Sequence, residues 1–292
     1  MNVRVIPRLD IKGPNLVKGI HFEGLRVLGK PERFSRHYYE TGADELVYMD
    51  AVASLYGRNS LLEVVERTAR EIFIPLTVGG GLRSVEDIRS VLRAGADKVS
   101  LNTAAVLRPQ LIHEASRAFG SSTVVVSIEA HRRGEGGYDV FTDYGRQATG
   151  IDAYDWARRA VDLGAGELMV TSIDREGTGE GFDLELTRRI AESVPVPVIA
   201  AGGAGSAEHV RSVVADGRAD AVCVASILHY NHVRACRYEL GEFAEEGNIE
   251  SLRRGARFGK IQDLTIRELK AYLSDRGVAC RPAGIAAGGS HG

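Results

Sequence analysis

The feature that most constrains this chain is a regular alternation. Short β-branched runs recur between longer segments whose apolar residues fall three and four apart. The strand-like runs lie at 3–9, 45–50, 74–78, 97–101, 123–129, 167–172, 196–200 and 220–225. Between them stand helical patterns such as LLEVVERTAREI at 61–72 and VEDIRSVLRAGA at 85–96. Strands that alternate with helices predict a parallel sheet. Several of the runs are apolar almost throughout, as strands covered on both faces must be. A doubly wound sheet fits the alternation too, but eight units within residues 1–230 favour a closed (β/α)8 barrel.

The two halves of the chain also echo each other. Asp10, ending the first run, matches Glu129, ending the fifth, 119 residues on. Asp50 matches Asp174 at 124, Gly79-Gly80-Gly81 matches Ala201-Gly202-Gly203 at 122, and LNTAA at 101–105 matches VASIL at 224–228. A fixed period signals a repeat architecture. With two copies it predicts two fused half-barrels of four βα units each, a barrel with two-fold pseudo-symmetry.

The predicted organisation is a barrel core over 1–230, a charged insert over 231–261, a final barrel helix region over 262–280 and a flexible tail over 281–292. Residues 130–150 read as a long loop with DVFT as a possible hairpin arm. The segment after the first strand reads as a loop.

Composition excludes several classes. Lys plus Arg is 37 and Asp plus Glu is 39, so the net charge of −2 leaves no nucleic-acid or membrane footprint. No apolar run approaches the ~18 residues of a membrane span. The N-terminus carries Arg4 and Arg8 and has no signal-peptide block. Cys223, Cys236 and Cys280 lack CxxC spacing and fit a reduced, cytoplasmic protein. None of the histidines stands in a metal or triad spacing. No metal and no cofactor are expected.

In a barrel of this kind, chemistry gathers where strands end. Gly79–Gly81 with Asn102 and Thr103 form one group there, and Gly202, Gly203, Ala225 and Ser226 form another. Glycine lets backbone N–H groups approach an anion, and a following helix start favours negative charge. Two equivalent groups predict a small substrate with a phosphate at each end; tight βα turns are the plainer reading. Asp10 and Glu129 would face each other across the mouth as an acid/base pair for ring opening or closure. Strand-end acids also cap helices or sit in ion pairs. Asp50 and Asp174 either bind a substrate hydroxyl or hold a loop. At the strand starts, Arg4, Glu45, Lys98 and Glu167 would meet around the axis, as a salt-bridge plug or as a gate through an apolar core.

The stretches RVIPRLDIK, NLVKGIHFEGLRVLGKP, GADELVYMDAVAS, IPLTVGGG, GADKVSLNTAA, GAGELMVTSIDREGTGEGFD and PVIAAGGAG resemble the cyclase subunit family of imidazole glycerol phosphate synthase, a lyase of histidine biosynthesis. The likeness runs over 1–230 and again over LTIRELKAYLSDRGV at 264–278. It implies a two-fold (β/α)8 barrel acting on a ribulosyl-aminoimidazole-carboxamide that carries two phosphates. Ammonia from a glutaminase partner, bound at the strand-start face as a heterodimer, enters through the barrel bottom and attacks the ribulosyl carbonyl. The products are imidazole glycerol phosphate and an aminoimidazole carboxamide ribotide. The resemblance implies an acid/base role for Asp10 and places Lys18 on a loop that closes over substrate. Lys18 and Gly177 join the substrate-binding set. Arg4, Glu45, Lys98 and Glu167 resemble the family's ammonia gate, and Asp97 a residue that docks the glutaminase.

This chain departs from the pattern at four places. Glu129 and Glu176 stand where the family has shorter or different acids, and Arg8 stands where it usually has cysteine. The 231–261 insert is foreign to it. These departures keep two alternatives open: a paralogous ammonia-dependent synthase acting on a nucleotide-linked sugar or other secondary-pathway substrate, and a non-catalytic barrel that binds phosphates or regulates a glutaminase.

Overall fold

A computed structural model describes residues 2–52, 61–134, 136–235 and 260–283. Its strands are β1 (Arg4–Lys12), β2 (Asn15–Ile20), β3 (Glu23–Gly29), β4 (Leu46–Asp50), β5 (Leu76–Gly79), β6 (Lys98–Leu101), β7 (Val124–Arg132), β8 (Tyr138–Thr142), β9 (Gln147–Asp152), β10 (Glu167–Ser172), β11 (Val198–Ala201) and β12 (Ala221–Val224). The helices are α1 (Pro31–Glu40), α2 (Leu62–Ala69), α3 (Val85–Arg93), α4 (Thr103–Leu107), α5 (Gln110–Phe119), α6 (Ala153–Asp162), α7 (Leu184–Ser193), α8 (Ala207–Ala215), α9 (Ser226–Ala235) and α10 (Ile266–Ser274).

Strands β10, β11, β12, β1, β4, β5, β6 and β7 lie side by side in that order, and β10 pairs with β7 to close the ring. All the pairings around the ring are parallel. This is the (β/α)8 barrel that the alternation predicts. Most of the insert and of the tail lies outside the described residues, and α9 runs across residue 230.

Strand alternation sorts the core into two layers. Val5 and Leu9 of β1 face outward into the large cluster under the helices. Ile6 faces inward and packs with Val47, Met49, Val125, Met169 and Ile199 along the axis. Truncating one such side chain to alanine costs about 2–5 kcal/mol, because a close-packed interior relaxes only partly. The outer helices start on matched side chains. Ser84 caps α3 by accepting from the Asp87 N–H, and Ser206, 122 residues on, caps α8 by accepting from the His209 N–H. Each replaces a backbone partner that a helix start lacks.

The symmetry extends to features that the strand ends alone do not reveal. The segment after β1, expected as a loop, is an antiparallel hairpin, β2–β3. The segment after β7 is likewise a hairpin, β8–β9, with DVFT in its first arm. Each half-barrel therefore begins with a strand that folds back over the mouth. The strand register also corrects one of the sequence echoes. Ile11 pairs with Asp50 and Ala130 pairs with Ser172, so the counterpart of Asp50 is Ser172, not Asp174.

Candidate active site

The C-terminal ends of the strands carry two cavities. The first, of about 350 Å³, is lined by Asp50, Gly81, Asn102, Thr103 and Glu129 among others. The second and smaller one is lined by Lys18, Gly177, Gly202, Gly203, Ala225 and Ser226, together with Arg8 and Glu176. The two glycine groups that the sequence singles out thus stand in separate cavities, one per half.

Two of these turns require glycine. Gly80 has φ +97°, and a Cβ there would lie 2.6 Å from the Asp50 carbonyl oxygen. Gly202 has φ +83°, and a Cβ there would lie 2.9 Å from the Ser172 carbonyl oxygen. The same close approach therefore recurs on the symmetry-related strand. Both positions exclude a side chain on two counts, backbone conformation and space.

Glu129 is buried, and its Oε2 accepts from the Gly145 N–H at 2.8 Å. Burial pushes its carboxyl up to about 7, against the opposing pull of Arg8 and of the Gly145 hydrogen bond. A carboxyl poised there can both give and take a proton near neutrality. Asp10 is buried as well, and its Oδ1 accepts from Arg8 Nε at 2.9 Å. Asp10 and Glu129 both belong to the mouth, but only Glu129 lines a cavity wall.

Lys18 lies on β2 rather than on a loop. Its Nζ donates to Glu176 and to the Gly19 carbonyl oxygen. Lys18 and Arg8 hold the Glu176 carboxylate below its usual range against the opposing effect of burial. His21 ties the hairpin turn to the segment after β10: its N–H donates to the Glu176 carbonyl oxygen, and its Nδ1 stands 2.7 Å from the Ile173 carbonyl oxygen.

Asp50 Oδ1 accepts from the Val52 N–H, and Thr103 Oγ1 accepts from the Asp143 N–H. Asn102 donates to the Phe141 carbonyl oxygen, while its own Oδ1 is buried without a partner. Asp174 stands apart from both cavities. Its Oδ2 accepts from the Arg132 N–H, and its Oδ1 is 3.4 Å from His131 Nε2.

At the strand starts the four predicted charges meet. Arg4 Nη1 is 2.6 Å from Glu45, Lys98 Nζ is 3.0 Å from Glu45 and 3.1 Å from Glu167, and Arg4 also pairs with Glu167. The ring is electrically balanced and closes the bottom of the axis. Asp97 accepts from the Leu76 N–H through Oδ2 at 2.9 Å. Asp220 does the same for the Val198 N–H in the other half. This clasp between neighbouring strands gives Asp97 a structural task of its own.

Reading the sequence for strand-end acids missed Arg8 and Glu176 as members of the second cavity. The signal for Arg8 was present: Arg4, Ile6, Arg8 and Asp10 alternate along one strand and so share its inner face. Among the described residues, no group of three or more His, Cys, Asp or Glu side chains could hold a metal ion. Nor is any helix among them long and apolar enough to cross a membrane.

A closed barrel with buried carboxylates at its mouth and a glycine-built cradle in each half defines a class, the two-fold (β/α)8 barrel. Within that class the chain belongs to the histidine biosynthesis protein family, whose family model matches residues 4–234. It is similar to the imidazole glycerol phosphate synthase subunit HisF of Legionella pneumophila. The two are 59% identical over 207 residues, which cover 71% of this chain and 98% of the relative.

Proposed function

We propose that this protein is the cyclase subunit of an imidazole glycerol phosphate synthase. It takes ammonia from a glutaminase partner docked at the strand-start face. The ammonia passes the ring of Arg4, Glu45, Lys98 and Glu167 and attacks the carbonyl of a ribulosyl-aminoimidazole-carboxamide with two phosphates. Cyclisation and cleavage then give imidazole glycerol phosphate and an aminoimidazole carboxamide ribotide.

The observation that carries this reading is the pair of symmetry-related cradles, around Gly80 and around Gly202, in separate cavities of one mouth. An elongated substrate with an anion at each end calls for such a pair, and at about 20 Å³ the second cavity must open to admit its phosphate. Gly81, Asn102 and Thr103 hold one phosphate, with Asp50 on a nearby hydroxyl. Gly177, Gly202, Gly203, Ala225 and Ser226 hold the other, with Lys18 over it. Glu129 moves protons at the reacting centre. Asp10 is its partner, working through Oδ2 because Arg8 holds Oδ1. The test is ammonium-dependent turnover of the diphosphate substrate by purified protein. Tight substrate binding without turnover at high ammonium overturns the reading.

One observation favours a second reading. Arg8 and Glu176 place a buried ion-pair network in the mouth. A paralogous ammonia-dependent synthase, acting on a nucleotide-linked sugar, would use the same barrel with a different centre. Growth of a cyclase-deficient strain without histidine, restored by this gene, decides for the first reading.

A further inference from the structure

The buried cation at position 8 has more donors than partners. Arg8 is only 4% exposed, and its Nε donates to Asp10. Its Nη1 and Nη2 are both buried with no hydrogen-bond partner. A guanidinium has five N–H groups in a rigid fork, and burying donors unsatisfied is costly. Phe22 lies 5.4 Å from its Cζ and shields it from water without taking a hydrogen bond.

The surroundings point to what the fork receives. Arg8 lines the second cavity with the backbone of Gly202 and Gly203 and with Ser226, the first residue of α9. The charged residues lining that cavity are Arg8, Lys18 and Glu176; with Asp10 behind Arg8 the cluster is neutral, and what it leaves unclaimed are the two Nη groups. The carboxylate is already matched by Lys18, and Asp10 by Nε. The first cavity differs: its cations, Arg83 and Arg108, are exposed residues of its wall.

We infer that Arg8 is an anion ligand of the second cradle: its Nη groups take two oxygens of the substrate's phosphate while its Nε holds Asp10. The inference rests on the reading of the two cradles as phosphate sites. A bidentate guanidinium–phosphate contact is among the stronger charge-assisted hydrogen bonds, and stronger still away from water. The two grips are then unlike. One is built on a buried cation, while the other has only exposed arginines among the carboxylates Asp50, Glu129 and Asp143. Arg8 therefore sets the direction in which an elongated diphosphate lies in the mouth. It also links that grip to the placement of Asp10 through a single side chain.

Inorganic phosphate is the probe. Crystals of the full-length protein soaked in phosphate, with phosphate titrations in solution, compare the wild type with Arg8→Met and Arg8→Gln. The wild type is expected to hold phosphate in both cradles. Each variant is expected to keep the first site, which reports that the barrel is intact, and to lose at least tenfold at the second, equivalent to about 1.4 kcal/mol. Arg8→Gln keeps a polar side chain beside Asp10, so it carries the test if Arg8→Met does not fold. Wild-type affinity at the second cradle in a folded variant overturns the inference. Binding is read without turnover, so the two readings separate. Loss of the second phosphate in a protein that does not cyclise leaves Arg8 an anion ligand and removes the cyclase. Cyclisation with unaltered phosphate binding does the reverse.

Discussion

Phe22 and Tyr144, 122 residues apart in the chain, meet above the barrel mouth with ring centroids 4.3 Å apart. Each sits in the turn of its half-barrel's hairpin, at φ +63° and +60°. Such angles are strained for a residue with a side chain and persist where the surroundings enforce them. Both rings are buried, packed with Val17, Ala51 and Ile173. The two hairpins thus brace each other; Phe22 lies over Arg8, and the Gly145 N–H reaches Glu129.

Phe22→Leu and Tyr144→Leu are therefore expected to be coupled. A double-mutant cycle on urea unfolding should give an interaction of about 0.5–1.5 kcal/mol, the range for an aromatic pair beyond its area burial. Strict additivity would show that the contact is incidental.

Glu129→Gln separates chemistry from stability. Glutamine still accepts from the Gly145 N–H, yet cannot move a proton. Turnover should fall by about 10²–10⁴, and any limb near pH 7 in the wild-type rate profile should vanish with it. Stability should move the other way. The folded state holds the Glu129 proton up to about pH 7, against 4.5 for the ordinary side chain. Its contribution is most favourable below that ordinary value and is lost as pH rises through 7. At pH 8 the variant should be more stable, on the order of 1–3 kcal/mol. A melting temperature that drops at pH 8 contradicts this.

Two histidines predict the opposite trend in acid. His229 Nε2 stands 2.9 Å from the Arg8 carbonyl oxygen and its Nδ1 2.6 Å from the Tyr38 hydroxyl, so one tautomer satisfies both. Burial, with Lys18 adding to it, pushes His229 down to about 3. Burial, with His37 stacked on it, pushes His232 down to about 4. Both are neutral in the fold, so their contribution is complete above about pH 6.5 and is lost as pH falls towards those values. Between pH 6.5 and 5 each should cost on the order of 2 kcal/mol. Urea midpoints across that range should fall less steeply in His232→Phe. Parallel curves for variant and wild type would assign the acid sensitivity elsewhere.

The charge ring at the strand starts makes a prediction about nitrogen supply. Glu167 faces both Arg4 and Lys98, so Glu167→Gln leaves two cations sharing Glu45. Turnover driven by the glutaminase partner should drop severalfold, while turnover with free ammonium at the open mouth should change little. An equal fall in both would mark the ring as a structural plug alone.

The sequence made the barrel legible because strands buried on both faces and amphipathic helices leave distinct periods. The half-repeat was legible because glycine is obligatory at both cradles. What escaped was whatever depends on pairing rather than on type. The DVFT arm of β8–β9 was legible, but the hairpin β2–β3, whose residues mix polar and apolar types, read as a loop. The strand-end pattern matched Asp50 to Asp174, whereas hydrogen-bond register matches it to Ser172. Lys18 and Glu176 lie 158 residues apart, and no local pattern foretells their contact. Arg8 read as an intruder beside Asp10, and only burial reveals its unclaimed donors.

The glycine turns divide this molecule into parts that can and cannot drift. Any side chain at Gly80 or Gly202 collides with the backbone of the adjoining strand end, so the two turns remain fixed in place. Positions 8, 129 and 176 obey no such steric veto, since each points a long side chain towards a cavity wall. A lineage built on this scaffold can exchange the groups at the centre of the mouth while inheriting both turns unchanged.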